Sequence, residues 1–284
     1  MSERRGIRFT KMHGAGNDYV YINGFEEAKA DWPALARAVS DRHFGIGSDG
    51  LVLIGPSESA DLRMRMFNAD GSEAEMCGNA IRCVAKYAYE HGLCPKEAMR
   101  IETLAGQKLI RLQFAEGRVR GARVDMGAAD LRRGAIPMQG PPDEMAVDVP
   151  LEPGGERYTV TCVSVGNPHC VIFTDDVEAV ALCEIGPLIE THPAFPQRIN
   201  VHFVQVLARD EVRMRTWERG AGITLACGTG AAAVCVAGAH TGRTDRRIVA
   251  HLPGGDLELE WAEEGHVFMT GPAEEVFRGV WPLS

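Results

Sequence analysis

Polar and apolar residues alternate through "LRMRMF" at 62–67 and again through "VRMRTW" at 212–217, the period-two pattern of strands with one buried face. "YVYING" at 19–24 and "CVIFTD" at 170–175 are short apolar runs closed by turn residues, and they read as buried strands. The period changes at "GNAIRCVAKYAYEHG" (78–92), where Ile81, Val84, Ala85 and Ala88 recur at helical spacing and Gly92 stops the run. "GTGAAAVCVAGAHTG" (228–242) is almost wholly small and apolar. That composition predicts a helix buried on all sides and thin enough for strands to wrap closely around it.

These elements recur in one register. An offset of 150 residues pairs Arg63, Met64 and Arg65 with Arg213, Met214 and Arg215, Gly16-Asn17 with Gly166-Asn167, and Cys77-Gly78 with Cys227-Gly228. Asn68 then meets Glu218, and Ile22 meets Ile172. Separated matches at a constant offset indicate a duplication, and two copies are too few for a solenoid. The expected fold class is therefore α+β, with two pseudo-symmetric β-rich domains each wrapped around a central helix and an active site in the cleft between them. The stretch at 137–156, rich in Pro, Gly and acids, is expected to connect the copies.

Composition narrows the function. At 284 residues, 45% hydrophobic and 24% charged, the chain is long enough for sizeable cores. A net charge of −9 argues against non-specific binding to nucleic acid or an anionic membrane, which leaves a small-molecule ligand. No apolar run reaches the roughly 18 residues of a membrane span, and "MSERRGIRFTKM" lacks the apolar stretch of a secretory signal, so a cytoplasmic location is expected. The eight cysteines contain no C-x2-C pair, so neither a zinc site nor a disulfide scaffold is expected. Cys83, Cys94, Cys162, Cys170, Cys183 and Cys235 read as ordinary thiols, and the histidines other than His169 receive no role. Met64, Met66, Met214 and Trp217 read as core. "HGAGND" matches no phosphate-loop pattern and reads as a turn.

Cys77 and Cys227 need a different account. Each heads a predicted helix, where free N–H groups and the dipole favour an anion, and a thiol pKa there can fall from about 8.5 into the range ~3.5–7.5. The following glycine lets the backbone approach a carboxylate. Two such thiols on opposite faces of one carbon would perform stereoinversion, one removing the α-proton while the other delivers a proton from behind. The carbanion would be stabilised by the two helix N-termini, with no pyridoxal phosphate.

The segments "KMHGAGNDYV", "RHFGIGSDG", "FNADGSEAEMCGNAIRC", "GNPHCV", "INVHF", "WERGAGITLACGTG" and "LPGG" run in order from residue 11 to residue 255. Together they resemble the motifs of the diaminopimelate epimerase family over nearly the whole chain. The resemblance implies cofactor-independent interconversion of LL- and meso-2,6-diaminoheptanedioate, a step of lysine and cell-wall precursor synthesis, by a homodimer. It implies domains at 1–121 plus 273–284 and at 122–272. By the same resemblance Cys77 and Cys227 are the catalytic pair, and Gly78-Asn79 and Gly228-Thr229 hold the reacting carboxylate. Asn17, Asn68, Asn167, Asn200 and Glu218-Arg219 hold the distal end, while His169 and Glu218 tune the thiols. Arg219 suits a carboxylate clasped by two hydrogen bonds, and Glu218 and the Asn carbonyls suit an ammonium. The chain departs from some members of that family at Gly50, where they carry Gln, and at Phe277, where they carry a Tyr linked to dimer packing. Alternatives are a two-cysteine racemase of another amino or imino acid, a Cys-His hydrolase built on His169, which leaves the second cysteine unexplained, and a silent binding module.

Overall fold

The computed structural model describes residues 6–27 and 30–282. The first five residues and the last two, to which the first expected domain was extended, lie outside them. Among the described residues the chain divides into two compact units, one reaching to Val124 and resuming at Gly271, the other spanning Asp125–Thr270.

In the first unit β1 (Gly6–Gly14) and β2 (Asn17–Asn23) form a hairpin whose turn places Ala15 and Gly16 at φ of 52° and 80°. Helix α1 (Trp32–Ser40) follows, capped by Asp31, whose carboxylate accepts from Ala34 N at 3.1 Å. Then come β3 (Gly50–Gly55), β4 (Leu62–Asn68) and β5 (Glu73–Ala74), helix α2 (Gly78–Glu90), and β6 (Ala98–Thr103), β7 (Gly106–Ala115) and β8 (Arg118–Ala128). β2 pairs with β3 in parallel, β3 with β4 antiparallel, and β4 with β6 in parallel, the crossover being α2. Leu35, Ala36 and Val39 of α1 pack on Val20, Ile22, Leu51 and Phe67. Nearly all of α2 is buried, polar residues included. Arg82 donates there from Nε to Pro272 O and from Nη1 to Gly78 O, both at 3.1 Å, and Lys86 donates to Glu90 and to Val119 O, both at 2.7 Å.

The second unit repeats this order. It contains β9 (Val149–Leu151), the hairpin of β10 (Tyr158–Ser164) and β11 (Pro168–Phe173), helix α3 (Leu182–Glu190), β12 (Asn200–Ala208), β13 (Glu211–Glu218), β14 (Gly222–Thr224) and helix α4 (Gly228–His240). β15 (Arg247–Leu252), β16 (Gly255–Trp261) and β17 (His266–Pro272) complete it. β11 pairs with β12 in parallel, β12 with β13 antiparallel, and β13 with β15 in parallel, ladder for ladder as in the first unit. Gly166 holds a φ of 86° in the hairpin turn where Gly16 does in the other copy. The two pairs of helices, α1 with α3 and α2 with α4, lie 150 residues apart at both ends. The last strand, β18 (Glu274–Pro282), pairs with β1 in the first unit.

The fold is thus β-rich and duplicated, as the alternation and the offset imply, with α2 and α4 buried among strands. Met64, Met66 and Met214 are core, as expected of them. The segment 137–156 is not a connection between the copies: Met138, Ala146 and Leu151 sit in the hydrophobic core of the second unit, and Ala146 O accepts from Cys162 N at 2.8 Å. Its prolines and glycines make turns between buried anchors, and composition alone does not distinguish such a segment from a linker. No helix among the described residues is long and apolar enough to cross a membrane.

Candidate active site

The two cysteines occupy the same place in their respective units. Cys77 is the N-cap of α2 (φ −134°, ψ 122°) and Cys227 the N-cap of α4 (φ −124°, ψ 103°), so each sulfur stands where the first turn leaves N–H groups unpaired.

In the first unit the Cys77 thiol donates to Asn17 Oδ1 at 3.3 Å, and Asn79 Nδ2 approaches the same oxygen at 3.5 Å. The Asn17 amide is oriented from behind: its Nδ2 donates to Asp49 Oδ2 at 2.7 Å, which turns Oδ1 toward the sulfur. Asp49 also accepts from Asp18 N at 3.1 Å and pairs with Arg42 at 2.8 Å. Asp18 itself joins Lys11 and Arg42; burial raises its carboxyl pKa, but these two cations outweigh burial and leave it below the ordinary value. Gly78 and Asn79 are buried at the start of α2, and Asn68 ends β4 with its amide on Ser72 Oγ at 2.9 Å.

In the second unit Cys227 is 5% exposed. Burial pushes its thiol pKa well up, and the adjacent Glu218 carboxylate adds to the shift; the Gly230 N–H and the Thr229 hydroxyl pull the other way without prevailing. The depressed pKa expected of a helix-head cysteine is therefore reversed here, because desolvation of the thiolate exceeds what the helix terminus returns. Thr229 Oγ1 lies 3.8 Å from the sulfur, and Glu218 Oε1 accepts from Thr224 Oγ1 at 2.6 Å. Asn200 ties the hairpin turn to the following loop, donating to Pro168 O at 2.8 Å and accepting from Arg219 N at 2.9 Å. One hydrogen of its amide and one lone pair of its carbonyl stay unspent in those two contacts. Arg219 donates to Gln197 O at 3.1 Å, and Gly50 leaves no side chain at the corresponding strand of the first unit.

His169 is fully buried and uncharged, its pKa held well below the ordinary value by burial, then by His202 and Arg219. Its Nε2 bonds Asn167 Oδ1 at 2.8 Å and its Nδ1 bonds His202 Nε2 at 2.9 Å; His202 Nδ1 bonds Thr216 Oγ1 at 2.9 Å. Because Asn167 Oδ1 only accepts, the hydrogens run in one direction: the Thr216 hydroxyl donates to His202, His202 to His169, and His169 to Asn167. Burial pushes the His202 pKa down to about 3, so it too is neutral.

Structure thus gathers Cys77, Asn17 and Asn79 in one unit, and Cys227, Glu218, His169, Asn167, Asn200, Arg219 and Thr229 in the other. Sequence reasoning missed His202, Thr216, Asp49 and Glu190. Glu190 braces the turn carrying Glu218-Arg219, accepting from Trp217 Nε1 at 2.7 Å and Gly220 N at 3.0 Å. A usable signal existed for His202: it stands in "INVHF" opposite Val52 of the other copy, and a His replacing a core Val in a duplicated strand marks added chemistry.

A family profile described as diaminopimelate epimerase matches residues 9–132 and 161–276. The chain belongs to the diaminopimelate epimerase family. The diaminopimelate epimerase of Pelotomaculum thermopropionicum is 58% identical over 278 residues, 97% of this chain and 99% of that protein. The diaminopimelate epimerase of Moorella thermoacetica is 57% identical over 279 residues, 98% and 100% of the two chains. A solved hydroxyproline epimerase from Agrobacterium vitis, with bound trans-4-hydroxy-L-proline, aligns over all of this chain and 93% of its own at a TM-score of 0.66. At 17% identity that likeness shows the shared fold alone. The two matched segments fall mostly on the two copies that the 150-residue offset relates.

Proposed function

We propose that this chain epimerises LL-2,6-diaminoheptanedioate to the meso form without a cofactor, Cys77 and Cys227 exchanging the roles of base and acid. The carrying observation is the pair of cysteines at equivalent N-caps of equivalent buried helices, each followed by glycine. The scheme needs the two sulfurs at opposite faces of the α-carbon and the α-carboxylate on the N–H groups of Gly78-Asn79 and Gly228-Thr229. Donors fixed before the reaction stabilise the developing carbanion without reorganising.

Cys77 gives its hydrogen to Asn17 and Cys227 is held as a thiol, so one sulfur must lose a proton before turnover. Glu218, hydrogen-bonded to Cys227, is the group that takes it, whereas the Asn17 amide opposite Cys77 cannot. That difference separates the two halves: a carboxylate serves one thiol and an amide the other. His169, neutral and aimed at Asn167, is the second tuning group. Asn17, Asn68, Asn167, Asn200, Glu218 and Arg219 hold the distal ammonium and carboxylate. The product feeds lysine and cell-wall precursor synthesis in the cytoplasm. A homodimer is favoured by β18, which leaves Val276, Phe277 and Val280 exposed. Phe277 packs edge-on against Phe9 at 5.9 Å, so an aromatic ring remains where related chains have Tyr.

The test is incubation of the purified, cofactor-free chain with LL-substrate in deuterated water. Appearance of meso product with deuterium at the inverted centre supports the reading. Turnover of proline or hydroxyproline in preference, or no α-hydrogen exchange on any amino acid, contradicts it.

A further inference from the structure

We infer that His169, His202 and Cys227 form a binding site for one soft divalent cation of the zinc class, which silences the Cys227 thiol. A ring nitrogen from each histidine and Cys227 Sγ lie within 4.8 Å of one another, all from buried residues. A tetrahedral zinc ion, with bonds of about 2.0–2.1 Å to nitrogen and 2.3 Å to sulfur, spaces its ligands roughly 3.3–3.8 Å apart. Closing the cluster onto a cation therefore takes side-chain shifts of about 1 Å, within reach of χ adjustments. Two imidazoles and a thiolate are the donor set that zinc prefers over magnesium or calcium.

Three features argue for a built site over a chance cluster. Both rings are fully buried, so bulk water does not compete for their nitrogens. Each ring also has its outer nitrogen held by an oxygen, Asn167 Oδ1 for His169 and Thr216 Oγ1 for His202, while the inner nitrogens face each other at 2.9 Å. Metal-bound histidines are oriented by this kind of outer-nitrogen partner. The third feature is Gly230, where a Cβ would stand 2.2 Å from His202 Cε1; the backbone of α4 leaves room for this ring beside the cysteine. The first unit has no counterpart, since the 150-residue offset puts Tyr19, Val52 and Met66 opposite His169, His202 and Thr216.

Binding balances without redox change. The S–H bond of Cys227 breaks and a sulfur–metal bond forms, releasing one proton to solvent. The hydrogen on His202 Nε2 relocates to Nδ1, where Thr216 Oγ1 accepts it, and His169 keeps its Nε2 hydrogen on Asn167. A bound cation holds Cys227 as its thiolate, which can then no longer deliver a proton. Silencing rests on the catalytic reading of Cys227, whereas cation binding does not.

The experiment uses the full reduced chain, stripped with chelator, and Co²⁺ as the probe. Expected is one Co²⁺ per chain with a thiolate-to-cobalt charge-transfer band, displaced by Zn²⁺. The band is lost in His202→Gln and in Cys227→Ala, kept in Cys77→Ala, and Thr216→Val weakens binding roughly 10–100-fold. Circular dichroism verifies that each variant is folded, and should His202→Gln not fold, Cys227→Ala carries the test. Absence of the band in wild type, its survival in Cys227→Ala, or its loss in Cys77→Ala overturns the site. Since none of these readouts needs substrate, failure here is separable from failure of the epimerase reading.

Discussion

Replacing Gly230 by Ala should cost about 2–4 kcal/mol of stability, although Ala is the better helix former by ~1 kcal/mol. Gly230 sits in the first turn of α4 under His202, and the added Cβ would lie 2.2, 2.7 and 2.9 Å from Cε1, Nε2 and Nδ1 of a fully buried ring. The ring cannot yield freely, because Nε2 and Nδ1 are both committed, each at 2.9 Å. Forced shifts in a packed core cost about 1–3 kcal/mol, and a buried polar group that loses its partner costs a further ~1–3 kcal/mol, so the penalty exceeds the propensity gain. The other copy solves the same packing with Ala80 and Val52, both buried. The double variant Gly230→Ala/His202→Val should therefore recover most of the loss. Urea denaturation with thermal unfolding as a cross-check reads both. A Gly230→Ala change below about 0.5 kcal/mol, or a double variant no more stable than the single one, would refute the clash and the equivalence of the two helices.

Glu218→Gln should move the alkylation profile of Cys227 by iodoacetamide to lower pH, because the carboxylate is among the causes holding that thiol pKa up; epimerisation should fall at the same time. A profile that stays in place would remove Glu218 from contact with the sulfur. His251 is held between Asp256 at 2.7 Å and Glu211 at 2.8 Å, which raise its pKa. Its contribution to stability is then complete below the ordinary histidine value, about 6.5, and is lost as pH rises through the raised folded value. Unfolding midpoints of His251→Gln and wild type should converge at higher pH, and a gap that widens there would be the wrong sign.

Much of the fold is legible in the chain because duplication doubles weak signals. Strand alternation at 62–67 gains force from its echo at 212–217, and the helices after Cys77 and Cys227 follow from spacing and small-residue content. The matching pair α1 and α3 is harder to see, since "WPALARAVS" and "LCEIGPLIE" share little beyond an apolar face. Position in a fold constrains burial more tightly than identity. Segment 137–156 misleads for the converse reason: its turn residues are conspicuous and its anchors Met138, Ala146 and Leu151 are few. At the site, the helix-head placement of both cysteines follows from local pattern. The raised pKa of Cys227 does not, being set by burial and by Glu218 at the end of strand β13. His202 and Asp49 act through other side chains, and orientation of an imidazole or an amide is a three-dimensional property that spacing along the chain does not carry.

The central claim is that two thiols divide one proton transfer between them. Its most direct measurement is α-hydrogen exchange and inversion of LL- and meso-substrate in deuterated water by Cys77→Ala and Cys227→Ala, each against wild type. Loss of a positioned acid or base should cut inversion by at least ~10²–10⁴-fold in both variants. Full inversion by either variant alone would contradict the account.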